Sequence, residues 1–404
     1  MSRQQAALAA GVATLALVAA LTVGAWWDGA PVVPRGGGLA TGETAWWFLV
    51  FLAGAFLAYL AGLRLLGGSR VRVAAVLAVA VGVQLTPVAA PLLLSTDAWT
   101  YWSYGWVGSE GGGNPYTDAP ASFAQNPALP WMGAAWRDTT SVYGPAFTLV
   151  SEPLAVLAGD SEDVAAWSYK ALGALGAIVA TLAAARVARR RALAAAFVGW
   201  NPLLAVHLAG GGHNDAWVGA LLAVALALVA ARRRQGAGVA WALAVLVKWV
   251  PLVFLALRAL EARATARPVR HLGMALAAGA VVALATASYG LAWLGAAVPL
   301  AENAARETSY AIPARLEQLG LPEEGALGVA VAALVVGGAW LAREALRGRA
   351  RLGLAACLLL VTTPYLAVWY LGWAVPLVAA DEDRLARAGC LVLAAYLLPQ
   401  TIPL

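Results

Sequence analysis

The sequence alternates apolar blocks of about 15 to 25 residues with short loops that carry most of its charges, and a helix of that length crosses a bilayer. Composition agrees, because 62% of the 404 residues are hydrophobic and only 12% are charged. A soluble globular protein is about half apolar and about a quarter charged. The sequence therefore predicts an all-α fold, a polytopic bundle of about 11 to 13 transmembrane helices forming a single domain over residues 1–404.

The basic residues are gathered in loops between the apolar blocks. Twenty of the 27 Lys and Arg residues fall in six clusters. The clusters are Arg64, Arg70 and Arg72; Arg186, Arg189, Arg190 and Arg191; Arg232, Arg233 and Arg234; Arg258, Arg263, Arg267 and Arg270; Arg343, Arg347, Arg349 and Arg351; and Arg384 and Arg387. Such clusters mark the cytoplasmic side of a membrane protein. The net charge of +6 is thus an orientation signal, and we expect no nucleic acid partner.

The first apolar run, Ala6 to Val23, follows Arg3 and precedes Trp26 and Trp27. A signal peptide would begin in a similar way, but the run is long for one, and tryptophans at its end are typical of a membrane interface. We therefore predict a first transmembrane helix whose N-terminus is cytoplasmic.

Two long polar segments, 95–163 and 296–325, are assigned to the extracytoplasmic side by the same charge rule. Within the first, residues 143–159 are apolar enough to span, but a span there would move the next basic cluster outside. Glu152 and Pro153 also interrupt the stretch. We therefore predict an interfacial helix on the outer leaflet at this position.

Lys248 lies in the apolar stretch 239–257, which has basic clusters on both sides. One straight span cannot keep both flanks inside, so two short helices turning near Lys248 are predicted, with Pro251 just beyond the turn. A cation in such a stretch is costly and suggests a function, here neutralising a phosphate. Snorkelling to the interface or a backbone carbonyl partner is an alternative of similar weight.

Asp97 stands at the end of a predicted span. It begins an aromatic-rich segment that extends to Tyr116. A carboxylate there could accept a proton from a sugar hydroxyl while aromatic faces stack on sugar rings. The alternative is that Asp97 caps a helix and the tryptophans anchor at the interface. The residues predicted to bind the sugar or the acceptor are Trp99, Tyr101, Tyr104, Asn114, Tyr116, Tyr143, His213, Asn214, Asp215 and Tyr370.

The string GGGHND at 210–215 brings three polar side chains to an outer loop, where they could bind sugar hydroxyls, phosphate or a metal. A capping turn with a solvated histidine would look the same, and no partner ligands stand at metal-site spacing. Arg306 and Arg315 of the second outer loop could join Lys248 at a donor phosphate, although exposed salt bridges are the commoner fate of such arginines. We expect no metal and no cofactor.

Five motifs stand in an order that resembles the GT-C superfamily of glycosyltransferases that use polyprenyl-phosphate sugars. They are TDAWTYWSYGWVGSEGGGNPY at 96–116, SVYGPAFTLV at 141–150, GGHNDAWVGALL at 211–222, VLVKWVPLVFLAL at 245–257 and TTPYLAVWYLGWAVPL at 362–377. Within that superfamily, the chain is most similar to actinobacterial polyprenol-phosphomannose-dependent mannosyltransferases.

The resemblance implies a multi-pass protein of the cell membrane, surrounded by membrane lipids and active on the extracytoplasmic side. It implies a polyprenyl-monophosphate sugar donor, with mannose the expected sugar, and a glycan or lipid-linked acceptor. Asp97 occupies the position of the catalytic aspartate and would be the general base of an inverting transfer. An arabinofuranosyl or other lipid-phosphate-sugar transferase has the same requirements. A transporter or lipid-linked-sugar flippase is the rival class, but its usual internal repeats are not evident.

Overall fold

The computed structural model describes residues 1–40, 42–68, 71–266, 272–304 and 306–404. Among these residues the chain is helical and contains no β-strand, which confirms the predicted all-α class. Arg70, Arg267 and Arg270 of the basic clusters lie outside the described residues.

The described α-helices are numbered along the chain, and short 3-10 turns occur in some of the segments between them. They are α1 (Arg3–Gly24), α2 (Trp46–Leu66), α3 (Val73–Leu85), α4 (Asp97–Ser109), α5 (Pro145–Ala158), α6 (Glu162–Val187), α7 (Arg191–Gly199), α8 (Pro202–Leu204), α9 (Asp215–Ala230), α10 (Arg234–Val247), α11 (Pro251–Ala264), α12 (Leu272–Tyr289), α13 (Ala297–Ala304), α14 (Ile312–Gln318), α15 (Glu323–Leu346), α16 (Leu352–Thr362), α17 (Leu371–Asp381) and α18 (Arg384–Tyr396). A π-helical turn, Ala205–Gly210, continues α8.

The count of about 11 to 13 spanning helices is not confirmed. Within the described ranges, α1, α2, α6, α12 and α15 are long and apolar enough to cross a membrane. A sixth span results if α7 and the segment Pro202–Gly210, which are bent by 42° at their junction, are counted together. Most remaining apolar stretches form helices of 10 to 17 residues. Breaks in the helix divide apolar segments that are continuous in their hydropathy.

The break predicted at Lys248 is confirmed. Helix α10 ends at Val247, Lys248 has an extended backbone (φ −157°, ψ 143°), and α11 begins at Pro251. A helix, α5, is also found at the predicted position 143–159, and it contains Pro153. Its predicted place on the outer leaflet stays a prediction.

The bundle has two chemically different ends. Helix α6 begins at Glu162, whose carbonyl oxygen accepts a hydrogen bond from Trp99, and it ends just before the basic residues Arg189 and Arg190. Helix α9 likewise begins at Asp215 and ends just before Arg232. At 1.5 Å per residue these helices separate their ends by roughly 40 Å and 24 Å. The loop that carries Asp97 therefore lies at the opposite end of the bundle from these basic clusters.

Three consecutive carboxylates organise the basic end. Asp381 accepts a 2.6 Å hydrogen bond from the N–H group of the second residue of α16. Glu382 accepts bonds of 3.1 and 3.0 Å from the two N–H groups that immediately precede α7. Asp383 accepts bonds of 2.9 and 3.3 Å at the start of α18 and pairs with the guanidinium of Arg351 at 2.6 Å. The backbone at a helix start carries free N–H groups. Each of the three carboxylates accepts hydrogen bonds at or just before the start of a different helix.

Close helix contacts at glycine bring the other end together. A methyl group added at Gly219 of α9 would collide with the carbonyl oxygen of Gly372 in α17. Small residues allow membrane helices to approach this closely. The contact holds the start of α9, with Asp215, beside the start of α17, which follows Tyr370.

Candidate functional site

Asp97 is the first residue of α4, and its backbone N–H bonds the hydroxyl oxygen of Ser95 at 3.2 Å. One helical turn later, the hydroxyl of Tyr101 donates to Oδ2 of Asp97 at 3.4 Å. The Asp97 side chain is 16% exposed, although most of its surroundings are buried. A carboxylate at a helix N-terminus is favoured by the helix dipole, so the position suits a stable negative charge.

The loop at 210–215 is pressed against α4 through Gly212. Its φ is +73°, and a Cβ atom there would lie 3.3 Å from the Cβ atom of Ala98. This left-handed backbone favours glycine and sets the position of the next residue. His213 follows with its Nδ1 atom 3.2 Å from Oδ2 of Asp97, near enough for charge attraction but without hydrogen-bond direction. Its ring stacks on Trp369 with centroids 4.0 Å apart.

The ionisation of Asp97 follows from its neighbours. Burial raises the pKa of this carboxyl, but contact with His213 and the charges of His213 and Lys248 outweigh burial, so the pKa is lowered from 3.8. Asp97 is therefore a carboxylate at neutral pH.

Lys248 and Asp215 form the second charged group of the site. The ammonium nitrogen lies 2.9 Å from both carboxylate oxygens, and it is 4.8 Å from the centre of the Tyr370 ring. The Asp215 side chain is 1% exposed and that of Lys248 is 17% exposed. The polar partner that the sequence required for this lysine is thus Asp215.

Asn214 stands between the two charged groups in sequence and carries unmet hydrogen-bonding capacity. It is 2% exposed, and neither polar atom of its amide has a partner among the described residues. The Nε2 atom of His213 is in the same condition. A buried polar group without a partner costs about 1–3 kcal/mol. These atoms can therefore bind a polar ligand such as the hydroxyl groups of a sugar.

Several predicted residues meet in one place. The group consists of Asp97, Tyr101, His213, Asn214, Asp215, Lys248 and Tyr370. Tyr143 adjoins it, because its ring contacts the ring of Tyr101 edge-on with centroids 5.0 Å apart. Since these residues come from α4, the 210–215 loop, the break after α10 and the start of α17, only the folded bundle assembles them.

Four predicted sugar-binding residues have side chains engaged elsewhere. Trp99, Tyr104, Asn114 and Tyr116 donate to backbone carbonyl oxygens at 2.9, 2.8, 2.9 and 3.1 Å, respectively. These bonds fix α4 and the segment after it against α6, α12 and the chain before α5. The contacts give the four residues a packing role, and their contact with a sugar stays a prediction.

The two arginines that were predicted to bind the donor phosphate are placed differently. Arg315 donates to the hydroxyl of Tyr396 at 2.9 Å and lies over the ring of Tyr310, so the structure does not bring it to the Asp97 group. Arg306 lies 5.9 Å over Trp136. Burial and the charge of Asp97 raise the pKa of Tyr365 to about 12, while the charge of Arg306 lowers it. Arg306 is thus within electrostatic reach of the residues around Asp97.

Sequence reasoning singled out neither Trp369, which stacks on His213, nor His207 and Lys170. His207 is 1% exposed in the π-helical turn, and its two ring nitrogens have no partner among the described residues. Its only sequence signal is its place six residues before His213. Lys170 carried a clearer signal, because it is the only lysine besides Lys248. In the described part of the chain, no group of three or more His, Cys, Asp or Glu side chains could hold a metal ion.

The arrangement combines an ionised carboxylate, a cation and unpartnered polar atoms within a mostly buried site. Such a site can accept a proton from a hydroxyl group, neutralise an anionic leaving group and orient a polar ligand between them.

Comparison with known proteins agrees with this chemistry. The family model described as "Alpha-(1->6)-mannopyranosyltransferase, N-terminal domain" matches residues 8–265. Over 156 residues the chain is 32% identical to alpha-(1->6)-mannopyranosyltransferase A of Corynebacterium glutamicum. The aligned region is 38% of this chain and 31% of that relative. Over 231 residues it is 29% identical to the protein of the same name from Mycobacterium tuberculosis, covering 51% of this chain and 44% of that relative.

The chain thus spans less than half the length of these curated relatives. No solved structure matches the chain. Because the family model matches more than half of the 404 residues, the chain belongs to the alpha-(1->6)-mannopyranosyltransferase family.

Proposed function

We propose that this protein transfers a mannosyl residue from a polyprenyl-monophosphate donor to a hydroxyl group of a glycan or lipid-linked acceptor. The observation that carries the proposal is Asp97, an ionised and partly exposed carboxylate set among a lysine, a histidine and an unpartnered amide. Family membership and the names of the relatives supply the sugar and the α-(1→6) linkage as the expected product.

Asp97 acts as the general base. It accepts the proton of the acceptor hydroxyl while the oxygen of that group forms a bond to the anomeric carbon of the donor sugar. The bond between that carbon and the phosphate oxygen breaks, and the phosphate leaves with the electron pair. Attack from the opposite face inverts the configuration, so a β-linked donor yields the α-linkage in the relatives' name.

Lys248 neutralises the departing phosphate. An ammonium group has three N–H donors, and two of them are accounted for by the two oxygens of Asp215. The third donor and the 17% exposure of the side chain leave room for one phosphate oxygen. A preorganised cation at a developing negative charge is among the largest contributions to catalysis. Arg306 supplies a second positive charge within electrostatic reach of Tyr365.

Asn214 and His213 bind the donor sugar or the acceptor. The amide of Asn214 can both donate and accept, as sugar hydroxyl groups do, and its two polar atoms have no other described partner. The stack of His213 on Trp369 fixes the imidazole plane beside Asp97. This rigidity keeps the base and the sugar-binding atoms in one geometry.

An apolar cavity supports a donor with a lipid tail. It has a volume of about 550 Å³ and lies between α14, α15, α16 and α18. Its lining is Ile312, Gly337, Trp340, Leu341, Leu354, Cys357, Leu358, Val361, Gly389, Val392, Leu393 and Tyr396. Val361 of this lining is four residues before Tyr365, whose pKa is raised in part by the charge of Asp97, and Thr308 bonds the backbone of the adjacent Leu366. An isoprenoid chain in the cavity would thus have its phosphate directed toward the site.

The proposed side of the membrane is extracytoplasmic. The basic clusters after α6 and α9 lie at the end of the bundle opposite Asp97. Because such clusters stay in the cytoplasm, the Asp97 end faces outward in a multi-pass arrangement.

The substitution Asp97→Asn tests the proposal. Transfer is measured in membranes with polyprenyl phosphomannose as donor and an alkyl mannoside as acceptor, and we expect kcat to fall about 10² to 10⁴-fold because the base is lost while the shape is kept. Asp138→Asn is the matched control, since Asp138 is an exposed aspartate of the same loop and should leave kcat unchanged. Near-normal turnover by Asp97→Asn would contradict the assignment, as would transfer from polyprenyl phosphoarabinose but not from phosphomannose.

A further inference from the structure

Lys170 is a fully buried lysine of α6 whose ammonium nitrogen lies 4.9 Å from the centre of the Trp167 ring and within electrostatic reach of Asp163. Its relative exposure is 0%, and its ammonium group donates to the carbonyl oxygens of Val88 and Pro91 at 3.1 Å each and to that of Ala90. Within the described part of the chain, the ion pairs do not include Lys170. All three of its N–H donors are thus directed at one stretch of backbone.

Burying an ammonium group is costly even with Asp163 and the Trp167 ring nearby, because its three N–H donors must all be satisfied away from water. A methionine of similar size would fill the same space without the charge. The hydrogen bonds themselves are therefore the feature to be explained, and they all fall on residues 88–91.

The stretch that Lys170 holds leads directly to Asp97. It begins in the 3-10 turn Thr86–Ala89 that follows α3, and Pro91 within it has no N–H group to hold it in place. Leu94 has a φ of +60°, a left-handed conformation that costs about 1–3 kcal/mol in a residue with a side chain and persists only when the surroundings impose it. Its N–H bonds the carbonyl oxygen of Val32 at 2.9 Å. The hydrogen bonds of Lys170 to residues 88–91 and the bond of Leu94 itself therefore help to determine where Asp97 begins α4.

The neighbour of Lys170 supports Asp97 from the other side. The Tyr169 ring meets the Tyr101 ring edge-on with centroids 5.3 Å apart, and Tyr101 donates its hydroxyl to Asp97. Two adjacent residues of α6 thus contact the backbone before Asp97 and the side chain that bonds it. The long helix α6 serves as the rigid reference for the carboxylate.

We propose that Lys170 is a positioning residue, which fixes residues 88–91 so that the Asp97 carboxylate meets the acceptor hydroxyl in reactive geometry. This inference rests on the proposed function, because it gives Lys170 no contact with either substrate. It acts through Asp97 alone. A misplacement of about 1 Å at a reacting group can lower the rate about 10²-fold.

The test begins with Lys170→Met, assayed as kcat per folded molecule with polyprenyl phosphomannose and an alkyl mannoside. We expect kcat to fall about 10- to 100-fold while KM for both substrates changes by less than about twofold. Lys170→Arg keeps the charge and the donors and should recover part of the loss. Trp26→Phe is the matched control, because it removes a single hydrogen bond to the carbonyl of Ala89 in the same stretch, from a tryptophan that is 60% exposed.

The double variant Asp97→Asn/Lys170→Met separates positioning from general damage. If Lys170 acts only through Asp97, the double variant should be no more than about twofold slower than Asp97→Asn. If Lys170 instead only stabilises the fold, the factors by which the two single substitutions lower kcat should multiply in the double variant. Multiplying losses, or a kcat of Lys170→Met within twofold of the parent, overturns the proposal. If Lys170→Met does not fold, Lys170→Gln is judged by the same two criteria. A fully active Asp97→Asn would instead refute the proposed function itself.

Discussion

The ion pair between Lys248 and Asp215 allows the stability of the bundle to be separated from donor binding. Lys248→Met leaves the Asp215 carboxylate, which is 1% exposed, without its cation. Breaking a buried pair in this way costs about 3–5 kcal/mol. Asp215→Asn leaves the lysine, which is 17% exposed and can be partly hydrated, so a smaller cost of about 1–3 kcal/mol is expected. The double variant removes both charges and should be more stable than Lys248→Met.

Donor binding should behave differently. A hydrogen bond to a charged group is worth about 1.5–3 kcal/mol, which corresponds to about 10- to 150-fold in KM for the donor. Because the ammonium itself contacts the phosphate in the proposed mechanism, Lys248→Met should raise the donor KM by this factor and leave the acceptor KM nearly unchanged. The double variant should regain stability without regaining donor affinity.

The measurements are apparent unfolding midpoints in detergent and initial rates with each substrate varied in turn. Arg347→Met is the control, since it breaks a pair with Glu344 in which the arginine is 57% exposed, and exposed pairs contribute little to stability. If the double variant recovers the donor KM together with stability, Lys248 is only the counter-ion of Asp215. If the two stability losses add, the charges are not coupled and the pairing itself is refuted.

Three further predictions use other parts of the molecule. A cysteine at Ser109 should react with an impermeant reagent from outside and one at Arg347 should not, and the reverse pattern would invert the topology. Gly389→Leu should fill the apolar cavity and raise KM about tenfold for a long-chain donor but not for a short-chain one. Gly338→Leu, which points into open space, is its control, and equal effects on both donors would remove the cavity from the donor path. Because the pKa of Asp97 is lowered from 3.8, its proton-accepting form persists on acidification, and kcat should lose its Asp97-dependent part only as the pH falls below 3.8. An apparent pKa near 6 that moves in Asp97→Glu would contradict this.

The sequence predicted the local features well where charge and proline determine them. The break at Lys248 followed from basic flanks and Pro251, because both act within a few residues. The number of full spans did not follow, since a bend such as that between α7 and Pro202 leaves the apolar composition unchanged.

Pairing across the bundle was beyond sequence reasoning. Lys248 was expected to need a polar partner, and Asp215 was expected in the site, but nothing in either motif joined them. Their meeting depends on how α9 packs against its neighbours, including the contact between Gly219 and Gly372. Similarly, the hydroxyl of Tyr101 bonds Asp97 while that of Tyr104 bonds a backbone carbonyl. The sequence shows a tyrosine at both positions, and only the three-dimensional packing distinguishes their roles.

The carboxylate row Asp381, Glu382 and Asp383 links the order of synthesis to the completion of the fold. Glu382 satisfies the N–H groups before α7, yet it is made more than 190 residues after Arg189. During synthesis, the N–H groups of Arg189 and Arg190 therefore have water as their partner until Glu382, just beyond α17, has been made. The hydrogen bonds that Glu382 accepts just before the start of α7, and that Asp381 accepts at the start of α16, are thus contacts that become possible only once α17 has been synthesised.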